Sequence, residues 1–195
     1  MRIVLVVAHP DPNSFSHAIA GTARVTLEGC GHEVTVLDLY AEGFRTAMTP
    51  EERMAYHGDR PMLDPMVERH AGFVKQAEAL VFVYPTWWSM MPAILKGWLE
   101  RVMVPGVGFV FDEHHHVRRG LVNVRRVVGI STYGASRVYV RAIHDNGRRT
   151  LLRALRLNTA LHTRGSWLAL YKMDSTTPQQ RASFLRRVER RLGSL

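Results

Sequence analysis

Short apolar runs alternate with amphipathic segments along this chain, and the alternation constrains the fold more than any other feature. Strand-like runs cover residues 3–8, 33–39, 79–84, 127–131 and 166–171. Unbroken apolar runs of this length are typical of strands that are covered on both faces. The intervening segments have helical spacing. The sequence therefore predicts an α/β fold, a doubly wound sheet of five parallel strands with helices on both faces.

Several of the predicted helices carry clear end signals. Ser14 or Ser16 can cap a helix that runs to about Glu28, and Asp64 can cap another that begins at Pro65. Further helices are predicted over residues 92–102 and over residues 178–192, and residues 138–157 predict a long, partly broken helical region with a weak point at Gly147. Residues 40–65 predict a long irregular excursion with a helical turn after Thr49, and residues 106–112 a short extended piece.

Length and composition suggest one cytoplasmic domain over residues 1–195. Hydrophobic residues make up 46% of the chain, which is ordinary for a globular protein. No apolar run reaches the ~18 residues of a membrane span, and residues 3–8 are too short for a signal peptide. A single cysteine, Cys30, rules out an intrachain disulfide. No metal site is expected, because the adjacent histidines His114 to His116 lack partners at a ligand spacing.

The formal net charge is +9, and arginine outnumbers lysine. Such a charge attracts nucleic acid, anionic membranes or anionic small molecules. The basic residues are scattered, however, and no zinc-finger or RNA-binding signature accompanies them. We therefore expect no nucleic-acid partner and favour steering of a phosphate-bearing cofactor.

Three turns that follow predicted strands carry candidate binding residues. The first, residues 9–17, lacks a Gly-rich fingerprint, but its serines precede a helix N-terminus that suits an anion. The second, residues 85–89, holds two adjacent tryptophans, of which at least one should line a surface or cleft. The third, residues 131–136, has small and hydroxyl-bearing side chains that suit a polar ring edge. The alternatives are a plain helix cap, aromatic core packing or a dimer contact, and an ordinary turn.

Several segments of the chain match the sequence pattern of one known family. They are Ala8-His9 with Ser14-Phe15-Ser16, Asp38-Leu39-Tyr40, and a segment from Pro85 through Trp88 and Pro92-Ala93-Ile94-Leu95-Lys96-Gly97-Trp98 to Glu100-Arg101-Val102. The third turn and Ile143-His144 continue the match. On these residues the chain resembles the NAD(P)H:quinone oxidoreductase family, a flavodoxin-like group that binds FAD or FMN.

The resemblance implies a role for each group of residues. His9, Ser14, Phe15 and Ser16 would hold the flavin phosphate and ribityl region; Pro85, Thr86, Trp87, Trp88 and Ser89 would lie along the isoalloxazine; and Ser131, Thr132, Tyr133 and Gly134 would bind its pyrimidine edge. Tyr139 and His144 would be the catalytic pair that offsets charge on the reduced flavin. The resemblance also implies a homodimer.

The implied activity is reduction of quinones or related acceptors by NAD(P)H through bound flavin, with ping-pong kinetics. Rival hypotheses are a regulatory flavoprotein subunit of a membrane transporter, an azo- or nitroreductase, and a one-electron carrier. The family usually has Thr-Thr-Gly-Gly in the third turn, so Tyr133 would crowd the flavin or cap the pocket. Vertebrate members have phenylalanine at Ser89 and substrate-contacting tyrosines at Phe109 and Phe111. The sequence leaves FAD against FMN, NADH against NADPH, and the acceptor open.

Overall fold

The computed structural model describes residues 1–58 and 60–195. Within them, the strands are β1 (Arg2–Val7), β2 (Glu33–Asp38), β3 (Ala79–Thr86), β4 (Phe109–Phe111), β5 (Val117–Arg119), β6 (Arg126–Tyr133) and β7 (Arg164–Leu170). Five of them form a parallel sheet in the order β2-β1-β3-β6-β7, and β4 and β5 pair as a separate antiparallel ribbon. The predicted doubly wound sheet is confirmed, and its strand order is the flavodoxin-like one.

Helices cover both faces of the sheet. They are α1 (Phe15–Gly29), α2 (Pro50–Ala55), α3 (Pro65–Gln76), α4 (Ala93–Val102), α5 (Arg137–Ala142), α6 (Asn146–Arg149) and α7 (Pro178–Leu192), with a π-helix at Thr150–Leu155 and a 3₁₀ turn at Met173–Ser175. Of the helices in the described ranges, none is both long enough and apolar enough to cross a membrane.

The core consists of two layers that the sheet separates. In β1, Ile3 and Leu5 point toward α1 and α7, whereas Val4 and Val6 point toward α3, α4 and the π-helix. This alternation follows from the two-residue period of a strand. Because both faces are buried, neither layer leaves room for a ligand inside the sheet, and only the strand ends are free to form a site.

The excursion between β2 and α3 is fixed to α4 by polar contacts. Thr49 and Glu52 form a capping box at the start of α2. Arg101, only 3% exposed, donates to the carboxylates of Glu52 and Asp64. A side chain at Gly97 would collide with the backbone of Thr46. The glycine of the Lys96-Gly97-Trp98 segment therefore allows the excursion to pack closely on α4.

The structure corrects several predicted boundaries. β3 continues through Pro85 and Thr86, and β6 continues to Tyr133, so these residues are paired strand rather than turn. The partly broken helical region that was predicted over residues 138–157 consists of α5, α6 and the π-helix. Its break lies before Gly147, where His144 and Asp145 adopt left-handed conformations with φ of 68° and 47°.

Candidate flavin and substrate site

A pocket of about 220 Å³ opens at the carboxyl ends of β3 and β6. The register of these strands places Thr86 opposite Tyr133, so the second and third predicted loops begin side by side. Of the predicted site residues, the pocket is lined by Thr86, Trp88, Ser89, Tyr133, Gly134 and Tyr139. This is the position at which ligands bind in open α/β sheets.

The turn after β3 holds Trp88 outside the protein body. Trp87 and Met90 exchange both backbone hydrogen bonds at 3.0 Å, which closes a two-residue hairpin over Trp88 and Ser89. These two residues have φ of 47° and 61°, a conformation that usually requires glycine or asparagine. Trp88 is 100% exposed and Trp87 is 43% exposed. The prediction that at least one ring lines a surface is confirmed, and the turn keeps backbone strain at a candidate site.

The turn after β1 presents the N-terminus of α1. Ser14 is the N-cap, and its hydroxyl oxygen accepts from the His17 backbone N–H at 3.3 Å. The His17 ring also lies 3.0 Å from this hydroxyl and 2.8 Å from Asp38 Oδ2. Sequence reasoning gave His17 and Asp38 no role, although His17 lies in the first turn and Asp38 in a matching segment. The pair links the cap to the end of β2 and holds the helix N-terminus in place.

His9 connects this first turn to the tryptophan turn. Its Nδ1 accepts from the Asp11 backbone N–H at 3.0 Å, so in the neutral ring the proton is assigned to Nε2. Burial lowers the pKa of His9, which keeps the ring neutral near pH 7. Its ring centroid lies 5.6 Å from that of Trp87. His9 therefore offers one N–H donor between the two turns.

Phe15 and Ser16 turn away from the pocket. Ser16 is buried, and the Phe15 ring packs 6.2 Å from that of Phe184. The Arg181 guanidinium lies 6.0 Å from the Phe15 ring centroid and donates to Thr176 Oγ1 at 3.0 Å. Arg181 thus brings a positive charge from α7 to the start of α1, a feature that the sequence reasoning missed.

The residues at the end of β6 are buried. Ser131 and Thr132 are 1% and 7% exposed, and the Ser131 hydroxyl lies 2.8 Å from that of Thr86. The Tyr133 hydroxyl donates to both oxygens of Asp145, at 3.0 and 3.1 Å. Burial and the adjacent carboxylate raise the pKa of Tyr133 far above its ordinary value, and burial raises the pKa of Asp145. The Tyr133 side chain is therefore a wall of the pocket that remains protonated.

The two predicted catalytic residues lie in different cavities. Tyr139 is 55% exposed and lines the pocket beside Trp88. His144 lies in a larger neighbouring cleft, which shares Val140 and Asp145 with the pocket. This chain thus places Tyr139, but not His144, next to the tryptophan turn.

The histidine run lies in the ribbon of β4 and β5, away from the pocket. The backbone N–H groups of His114 and His116 both donate to Asp112 Oδ1 at 2.9 Å. Across residues 1–58 and 60–195, no group of three or more His, Cys, Asp or Glu side chains is arranged to hold a metal ion.

The fold and the strand-end pocket together define a class of protein. The sequence profile of the family described as flavodoxin-like fold matches residues 1–190, and the chain belongs to this family.

The chain is similar to two named relatives and to one solved structure. The chain is 31% identical over 134 residues to the ribosyldihydronicotinamide dehydrogenase-like protein traD of Penicillium crustosum, covering 62% of this chain and 50% of that protein. It is 29% identical over 163 residues to NAD(P)H dehydrogenase (quinone) 1 of Cavia porcellus, covering 74% and 58%. The chain therefore spans only about half of the length of these relatives. The crystal structure of Smu.1420 from Streptococcus mutans covers 100% of both chains, with a TM-score of 0.86 and 25% identity.

Proposed function

We propose that this chain is a flavin-dependent NAD(P)H dehydrogenase that reduces quinones or related acceptors. The observation that carries the proposal is the strained turn that holds Trp88 fully exposed at the mouth of the strand-end pocket. A large ring left in water at the cost of backbone strain is typical of a binding surface for a flat partner. The names of the two relatives, a ribosyldihydronicotinamide dehydrogenase-like protein and an NAD(P)H dehydrogenase (quinone), support the same chemistry.

The residues at the strand ends fit a flavin. The N-terminus of α1 offers unpaired backbone N–H groups and a positive dipole end to a phosphate, and Arg181 adds a charge nearby. Trp88 and Tyr139 flank a pocket that suits a ring. A bound flavin would accept hydride from NAD(P)H and pass it to the acceptor. We propose FAD, which the family resemblance favours, with FMN as the alternative.

Some side chains near the pocket can donate hydrogen bonds to a ligand, and others only form its walls. Neutral His9 donates through Nε2 from the turn after β1, and the Tyr139 phenol, which lines the pocket, can donate there. The Tyr133 hydroxyl already donates to Asp145 and forms a wall of the pocket. We propose that Tyr139 offsets developing negative charge on the bound ring. His144, in the adjoining cleft, would assist from there and contribute less than Tyr139.

The assembly and compartment belong to the same proposal. Val138 and Tyr139 are exposed at the start of α5, at 79% and 55%, and Tyr139 lines the same pocket as the exposed Trp88. A second copy that covers this surface would complete the pocket, so we propose a homodimer. We also propose that the protein acts in the cytoplasm.

The test is the absorbance spectrum of the purified protein, followed by anaerobic addition of NADPH and, separately, NADH. A flavin band that bleaches on addition supports the proposal, and turnover is then compared among quinone, azo and nitroaromatic acceptors. A protein that binds neither FAD nor FMN on titration contradicts it. A flavin that stays oxidised with both nucleotides indicates a carrier or a regulatory subunit instead.

A further inference from the structure

An open cleft of about 1150 Å³ lies beside the strand-end pocket, and arginine dominates its lining. Seven arginines contribute: Arg137, Arg141, Arg148, Arg149, Arg153, Arg156 and Arg187. The first six come from α5, α6 and the π-helix region, and Arg187 comes from α7 on the other side of β7. The cleft thus brings together cations that are far apart in the chain.

These charges are not compensated by carboxylates. Among the salt bridges of the described residues, none involves any of the seven. Asp145 is the one carboxylate in the lining, and it already accepts the Tyr133 hydroxyl. Like charges held together without counter-charges repel one another, and a bound anion would relieve that repulsion. A second copy of this chain would bring seven more guanidinium groups and is therefore a poor occupant.

The position of the cleft limits which anion fits. It shares Val140 and Asp145 with the pocket at which the proposed hydride transfer takes place. A ligand that spans both cavities would need a reactive ring at one end and phosphate groups at the other. Tyr171 and Trp167 line the same cleft and offer aromatic surface for a base. The cleft is also concave, and its volume of about 1150 Å³ is large enough for half of a dinucleotide.

We propose that the arginine cleft binds the phosphorylated adenosine half of NADPH and selects NADPH over NADH through the 2′-phosphate. Guanidinium groups match phosphate oxygens with paired hydrogen bonds, and arginine near a dinucleotide site is a known way to accept a 2′-phosphate. This inference rests on the proposed dehydrogenase function, and it names the nucleotide that the enzyme uses.

Direct binding tests the cleft without relying on turnover. Isothermal titration of the purified protein compares adenosine 2′,5′-bisphosphate, 5′-AMP and inorganic phosphate. We expect the bisphosphate to bind roughly tenfold or more tightly than 5′-AMP, since one charge-assisted contact is worth about that factor. The double variant Arg149→Gln with Arg153→Gln should lose this preference. The double variant Arg186→Gln with Arg190→Gln, at two exposed arginines of α7 outside the cleft lining, removes the same number of charges and should keep it.

Steady-state kinetics provide the second measurement. In the double variant Arg149→Gln with Arg153→Gln, the KM for NADPH should rise by roughly tenfold or more relative to the KM for NADH, while kcat stays near that of the parent. Equal binding of the bisphosphate and 5′-AMP overturns the inference, as does a preference that survives the double substitution. Tighter binding of inorganic phosphate or of a short oligonucleotide at the same arginines also overturns it. If the titration succeeds but no nucleotide reduces a flavin, the dehydrogenase proposal fails and the adenosine site stands.

Discussion

A substitution at the single residue Trp88 should change ligand affinity much more than it changes the stability of the fold. Its side chain is 100% exposed and its φ is 47°, so the ring adds little to the folded core and the backbone is strained. In Trp88→Gly, relief of strain offsets the extra freedom of glycine in the unfolded chain, and the free energy of unfolding should change by less than about 1 kcal/mol. Flavin or acceptor affinity should fall by roughly tenfold, because a stacking surface is lost.

The measurements are urea unfolding and flavin titration on the same preparation. His115→Gly is the matched control, since His115 also has a positive φ, of 59°, but lies in the turn between β4 and β5. Its stability should respond similarly while its flavin affinity stays unchanged. A Trp88→Gly protein that binds flavin and acceptor as the parent does would remove the main support for the ring-stacking role.

Arg101 connects three helices, α2, α3 and α4, that are separate segments of the sequence. It donates from α4 to Glu52 in α2 and to Asp64 at the N-cap of α3. Arg101→Met would leave both carboxylates without their main donor, and we expect a loss of about 3–5 kcal/mol in the free energy of unfolding at pH 7. Arg24→Met removes an exposed pair with Glu28 at 3.9 Å and should cost less than about 1 kcal/mol.

The same contacts predict how stability depends on pH. Burial by itself raises the pKa of Glu52 and of Asp64, but hydrogen bonds from Arg101 and from backbone N–H groups outweigh it and lower both. A carboxyl whose pKa is lowered by folding stabilises the fold at pH values above its ordinary pKa. That contribution is lost as the pH falls from the ordinary pKa through the lowered one. The stability gap between the parent and Arg101→Met should therefore narrow as pH falls below about 4.5. A gap that stays constant from pH 7 to pH 3 would show that the loss comes from packing.

The accuracy of the sequence reasoning differs between elements for physical reasons. The start of α3 was predicted correctly because Asp64 and Pro65 are local signals. The ends of β3 and β6 were placed too early, because Pro85 and Thr132 are strand residues through pairing with each other, which no local pattern encodes. The start of α6 likewise depends on distant residues, since a side chain at Gly147 would crowd the Tyr84 hydroxyl of β3.

In the candidate site too, features with local sequence signals were predicted and features that depend on distant contacts were not. The turns at the ends of β1, β3 and β6 were predicted because strand ends of a parallel sheet meet at one edge. The Tyr133–Asp145 contact and the arginine cleft were missed, since both depend on how α5, α6 and α7 face one another. One signal was available: Arg149, Arg153 and Arg156 recur at helical spacing and indicate one basic face.

At the scale of the whole molecule, the exposed apolar surface beside the pocket predicts the assembly. Trp88, Val138 and Tyr139 follow the carboxyl ends of β3 and β6, and a second copy that covers them would bury surface that is otherwise in water. We expect a dimer by sedimentation velocity and a monomer for Val138→Asp, because a carboxylate at an apolar contact loses its hydration. Leu161→Asp is the control, since Leu161 is similarly exposed, at 72%, but precedes the amino end of β7, whereas the pocket lies at the carboxyl ends of the strands. It should remain dimeric.

Flavin titration of the Val138→Asp monomer then decides whether the partner contributes to the site. If the partner completes the pocket, flavin affinity must fall when the dimer is lost. A parent protein that sediments as a monomer at all concentrations would contradict the assembly and leave the pocket to a single chain.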